Sequence, residues 1–255
     1  MKFRYTKVSL ATLVFIFASA WCGSVAHAHG DESHDGLDLN QGSGSEGHHA
    51  LVHPFMAHMG MPDGPGEVSA RVTAVQERMS GESKGTYAFH IESGVVDRVG
   101  IHLRNDSIGT NPASELMLQY AVFRTPSKLS GISVFGELEF PTGPVESNRT
   151  AGLFGISGAY LLVPLLALNS TIHYNPRDKM TDWEISLVSR LTKNIFPVVE
   201  ARGEITKTNS STSLLAALKY KLPRDTAIGV GYQFPVTAVR EYDSQLLLQA
   251  ELGFE

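Results

Sequence analysis

His48, His49, His53, Met56, His58, Met59 and Met61 fall within fourteen residues, and His29 and His34 stand upstream of them. Imidazole nitrogen suits copper, zinc and nickel, whereas thioether sulfur is soft and selects Cu(I), so the mixture points to copper before other metals. The only cysteine of the 255 residues is Cys22, which argues against a closed structural zinc site. A small-residue stretch, Ala26-His27-Ala28, adds a second route to the same chemistry. Cleavage after Ala28 leaves His29 first, with its amine and imidazole able to chelate Cu(II) together; cleavage after Ala26 leaves it third, where amine, amides and imidazole make a square-planar set. The same composition equally fits a solvated polar leader that binds nothing, because clustering is not geometry.

A second group lies deeper in the chain. Strand periodicity of two puts His90 and Glu92 on one face of a strand and His102 and Arg104 on the same face of the next, opposite Phe89, Ile91, Ile101 and Leu103. A turn centred near Val96 would set His90 directly across from His102, close enough to share a proton or a metal. By the same parity Glu137, Glu139, Glu200 and Arg202, with Glu184, Arg190, Glu204, Lys219 and Lys221, share this polar side. A lumen lined with charge accounts for all of them without any special site. No His-x-Ser pair of the outer-membrane hydrolase kind, no Gly-x-Ser-x-Gly elbow and no phosphate-binding loop occurs, so an enzyme is not expected.

The elements that position these residues follow from charge and periodicity. Lys2, Arg4 and Lys7 precede an apolar run from Val8 to Cys22, the pattern of a secretory signal over residues 1–28. Without it the chain carries 18 basic against 26 acidic residues, which gives no field for nucleic-acid phosphates. Residues 29–65 contain six histidines, six acidic residues and no Lys or Arg, and read as a disordered, acidic His/Met-rich segment. The longest apolar stretch beyond the signal, Ala159–Leu168, is ten residues with a proline inside, whereas a membrane helix needs about 20. A closed β-barrel is the other way a polypeptide crosses a membrane.

From residue 66 to residue 255 the pattern supports that barrel. Leu246, Leu248, Ala250, Leu252 and Phe254 alternate with Leu247, Gln249, Glu251 and Gly253, and Val134 and Leu138 alternate with Phe135, Glu137 and Glu139. Turn residues divide 67–254 into about twelve segments, an even number, so the fold class is all-β: a transmembrane antiparallel barrel of about 12 strands behind a disordered N-terminal segment. Tyr120, Val134, Leu138, Leu246, Leu248 and Phe254 should then face lipid. A periplasmic β-sandwich also alternates apolar and polar residues and is the competing architecture.

Two motifs carry a resemblance. The ending Leu-Gln-Ala-Glu-Leu-Gly-Phe254 resembles the C-terminal strand signal read by the outer-membrane assembly machinery, except that Glu255 follows the aromatic. The hairpin Phe89–Arg104, with Glu92, Gly94, Asp97 and Arg98 in a Glu-x-Gly-x-x-Asp-Arg pattern, resembles an outer-membrane family related to phenol-degradation transporters. The resemblance spans about residues 66–254 and implies an outer-membrane location, a transport role and no catalytic residues. Three functions stay open: a channel or transporter for a small solute; a metal-resistance protein whose barrel anchors a copper-binding tail; and a structural barrel with its lumen plugged. No cofactor is required under the first, and copper is the candidate ion under the second.

Overall fold

A computed structural model describes residues 53–108, 113–126, 129–142, 150–223 and 225–254. Twelve strands follow one another: β1 (Val68–Met79), β2 (Glu82–Val96), β3 (Val99–Ile108), β4 (Ala113–Arg124), β5 (Gly131–Pro141), β6 (Ala151–Val163), β7 (Leu166–Asn175), β8 (Met180–Ser189), β9 (Ile195–Ile205), β10 (Ser210–Leu222), β11 (Thr226–Pro235) and β12 (Ser244–Phe254). Each pairs antiparallel with its sequence neighbours, and β1 pairs with β12 from Val68↔Phe254 to Arg78↔Ser244, closing the barrel. Closure satisfies every edge, which is what a bilayer demands of strands.

Parity holds through the sheet. In β12, Leu247, Gln249 and Glu251 are buried while Leu246, Leu248, Leu252 and Phe254 are exposed. Tyr120, Val134 and Leu138 are likewise exposed on the outside, so all six residues expected to face lipid do so. An outward apolar belt over twelve tilted strands is the architecture of an outer-membrane barrel, and a two-sheet sandwich does not describe this chain.

In the first hairpin β1 and β2 run on to a two-residue turn, Ser80-Gly81, with φ of 51° and 88°. Both residues of such a turn need φ > 0, which Gly81 adopts without steric cost. The β2–β3 turn corrects the register expected for the histidines. It is centred on Asp97-Arg98, with Arg98 at φ 69°, and a bulge lies between Gly94 and Val96. His90 therefore faces Arg104 and His102 faces Glu92, so the imidazoles are diagonal neighbours rather than opposite. A two-residue shift leaves every side chain on its face, so all four stay inside.

The larger departure lies before β1. Within the segment expected to be disordered, residues 53–64 are in the barrel interior, all of them buried. Gly66, at φ 84°, makes the bend that hands this segment to β1, and its N–H donates to the Gly94 carbonyl at 2.9 Å. Residues 29–52 lie outside the described part of the chain.

Candidate functional site

The lumen is filled by a loop. His53 sits near the barrel end that carries Val68 and Phe254, Phe55 to His58 lie against mid-strand residues, and Met61 to Gly64 return to the same end. His53 Nε2 and Asp63 Oδ1 are 3.4 Å apart across the base of this loop. In barrels of this kind that end faces the periplasm.

A backbone inside a lumen has no strand to pair with, so its polar groups must find side chains. Glu200 of β9 accepts three successive N–H donors, from Phe55 at 2.5 Å, Met56 at 2.9 Å and Ala57 at 3.2 Å. Glu184 of β8 accepts from the His58 backbone N–H at 2.7 Å and lies 2.8 Å from His58 Nδ1. Carbonyls are served in the same way: Lys219 Nζ donates to His53 O at 2.7 Å, Arg71 Nη1 to Pro54 O at 3.0 Å and Gln249 Nε2 to Phe55 O at 2.6 Å. Further along, Gln119 Nε2 donates to Met59 O at 3.1 Å, and Ser133 and Ser157 both donate to Gly60 O at 3.2 Å.

Shape is matched as closely as polarity. A Cβ on Gly60 would stand 2.2 Å from the Gly158 carbonyl oxygen, and one on Gly229 would stand 2.6 Å from the Phe55 ring. Phe55 and Met56 complete an apolar cluster with Val75, Val188, Phe196, Val198, Leu215 and Leu247, side chains that point inward from five strands. Burying such side chains is worth about 1.5–3 kcal/mol each. Left open, that inward apolar surface would face water.

His90, Glu92, His102, Arg104, Glu137 and Glu200 are all buried inside, and Glu139 and Arg202 share their face with partial exposure. Glu92 is held by Arg71 of β1 at 2.5 Å, and His102 Nδ1 lies 3.8 Å from it. Of the proposed metal ligands, His53, Met56, His58, Met59 and Met61 are in the loop, while His29, His34, His48 and His49 fall outside the described residues. The described five do not gather round one point. Met56 and Met61 belong to separate apolar clusters, and His53 and His58 meet different carboxylates, Glu251 at 2.7 Å and Glu184 at 2.8 Å. Burial alone would drive His53 toward the neutral form, but Glu251 and Asp63 outweigh it and lift its pKa to about 9.

Glu184, Glu200 and Lys219 were legible as inward polar residues, but the loop they hold was not. Two signals were available: Phe55, Met56, Ala57, Met59 and Met61 form an apolar island in a polar segment, and Phe196, Leu215 and Leu247 take inward positions in what should be a polar lumen.

No family model and no curated protein matches the chain. Solved structures do. The fold is similar to the KdgM porin at 10% identity, covering 72% of this chain and 99% of that one with a TM-score of 0.58. It is also similar to the COG4313 outer membrane channel from Pseudomonas putida F1 (8% identity, 76% and 98% covered, TM-score 0.55) and to the NanC porin (11%, 74% and 99%, 0.53). Identities of this size speak for a shared barrel.

Proposed function

We propose that this chain is an outer-membrane channel for a small polar solute and that residues 53–64 are its plug, docked in the closed state. The observation that supports a removable plug is the way it is held. Its backbone bonds to wall side chains rather than to a strand ladder, and water or a polar solute can replace such partners one at a time. A plug built as a permanent core would carry more apolar side chains and fewer backbone groups borrowed from the wall. The structurally similar porins fit this reading, and KdgM has been captured with oligogalacturonate. The lipid-facing belt and the outward Leu246, Leu248, Leu252 and Phe254 of β12 also support handling by the outer-membrane assembly machinery.

Single-channel recording in planar bilayers tests this. The full chain should be closed for most of the record, and a chain lacking residues 53–64 should conduct steadily. A deleted chain that still forms the barrel and never conducts would leave a structural barrel with an occluded lumen.

A further inference from the structure

We propose that the plug and the wall together form a binding site for one divalent metal ion of the zinc, cobalt or nickel class, with His58 from the plug and Glu115 and Glu137 from β4 and β5 as ligands. That the ion would staple the plug shut rests on the gated-channel reading above; the metal site itself does not.

The three side chains converge from separate parts of the chain. His58 Nε2 is 3.9 Å from Glu115 Oε2 and 3.9 Å from Glu137 Oε2, and one donor atom from each of the three residues lies within 4.8 Å of the others. Donors around a tetrahedral zinc stand roughly 3.3 Å apart, so the set is completed when His58 closes by about 0.6 Å on each carboxylate and the two carboxylates draw together from a separation of at most 4.8 Å. One imidazole and two carboxylates with an open position is a donor set for a borderline divalent ion.

Two independent features point into this site. Glu137 is buried, and its Oε2 makes no hydrogen bond among the described residues. Its cross-strand neighbours on the same face, Met117 of β4 and Leu153 of β6, offer no hydrogen-bond donor from their side chains. A buried carboxylate oxygen without a donor is costly, and a cation is the ligand that answers it. The second feature is the orientation of the ring. Glu184 takes both the backbone N–H and Nδ1 of His58, which turns Nε2 toward Glu115 and Glu137. A carboxylate fixing the far nitrogen of a histidine is the usual support of a metal-bound imidazole.

Arg104 is the competitor. Its Nη1 stands 3.0 Å from both nitrogens of His58, and metal entry requires the guanidinium to swing toward Glu184 Oε1, 3.9 Å away. The other histidine–carboxylate group, His53 with Asp63 and Glu92, lacks the same demand for a cation. Arg71 already neutralises Glu92, and His53 is engaged by Glu251.

The test uses the full chain in detergent with His29, His34, His48 and His49 changed to Asn, titrated with Co2+ and read by visible absorption. One equivalent should bind with the intense bands of a low-coordinate site. Glu137→Gln and Glu115→Gln should each weaken binding at least tenfold, Arg104→Gln should tighten it, and His53→Gln should leave it unchanged. Glu115 is on the rim of the site, so its variant carries the test if Glu137→Gln does not fold. Absence of a Co2+ band in the starting chain, or equal affinity in a folded Glu137→Gln or Glu115→Gln variant, overturns the proposal. Because the readout is spectroscopic, Co2+ binding by the full chain together with no conductance from the chain lacking residues 53–64 would sink the channel reading and leave the site intact.

Discussion

The two arms of the plug are held by different physics. Residues 53–58 rest on ionisable groups: Glu200 under three N–H donors, Glu184 on His58, Lys219 on the His53 carbonyl and Glu251 on the His53 ring. Residues 59–61 rest on neutral side chains and close backbone approach, with Gln119, Ser133, Ser157 and Asn169 as partners and Gly131 and Gly158 as surfaces met, and charge enters this arm only at its end, where Arg124 donates to the Pro62 carbonyl, Asp63 meets His53 and Glu67 accepts from the Gly64 N–H. The first arm is an electrostatic latch, responsive to pH and to ions. The second is mainly a steric key, tied to charge only through residues 62–64. A plug meant to open on a signal needs the first property, and one meant to return to a single position needs the second.

Breaking the key should have the largest effect. Gly60→Val places a side chain against the Gly158 backbone, 2.2 Å from its oxygen already at Cβ, and backbone cannot rotate away. Steady conductance and protease cleavage near residue 60 are expected from a barrel that still assembles; a closed, resistant Gly60→Val chain would show that the second arm is not confined as described. Breaking the latch comes next. Glu200→Ala strips the acceptor from three buried N–H groups, and charge-assisted hydrogen bonds of about 1.5–3 kcal/mol each make a loss of at least about 3 kcal/mol in docking. Amide exchange at Phe55, Met56 and Ala57 should accelerate by two orders of magnitude or more, with those of the barrel strands unchanged.

The latch should also respond to pH. His53 has a pKa of about 9 when docked and an ordinary value near 6.5 when released, so docking is favoured by the full difference below pH 6.5. That contribution, on the order of 3 kcal/mol, is lost as pH rises through about 9. The groups facing the ring are Glu251 and Lys219 from the wall and Asp63 from the plug itself, with Glu92 and its partner Arg71 beside them. Open probability should climb between pH 7 and pH 9.5 in the native chain, and the climb should vanish in His53→Gln. The smallest effect belongs to the second arm: Ser133→Ala removes one of two hydroxyls on the Gly60 carbonyl, a neutral bond worth about 0.5–1.5 kcal/mol, and should shift opening less than tenfold at any pH.

The strand count, the inward and outward faces and the lipid-facing residues were legible in the sequence because a β-strand encodes its own faces. Every second residue belongs to one side, so Leu248 and Gln249 declare their environments without knowledge of their neighbours. The inward position of His90 and His102 was read in the same way, and only their exact pairing failed, because it depended on where a two-residue turn and a bulge fell. The plug was not legible. Residues 53–64 have no period, and their fate is set by partners as distant in the chain as Glu200, 145 residues from Phe55. Sequence by itself determined that a barrel forms and which side chains line its interior. Whether that interior stays open is a matter of fit between a short loop and side chains from many strands, and such fit exists only once the barrel has closed.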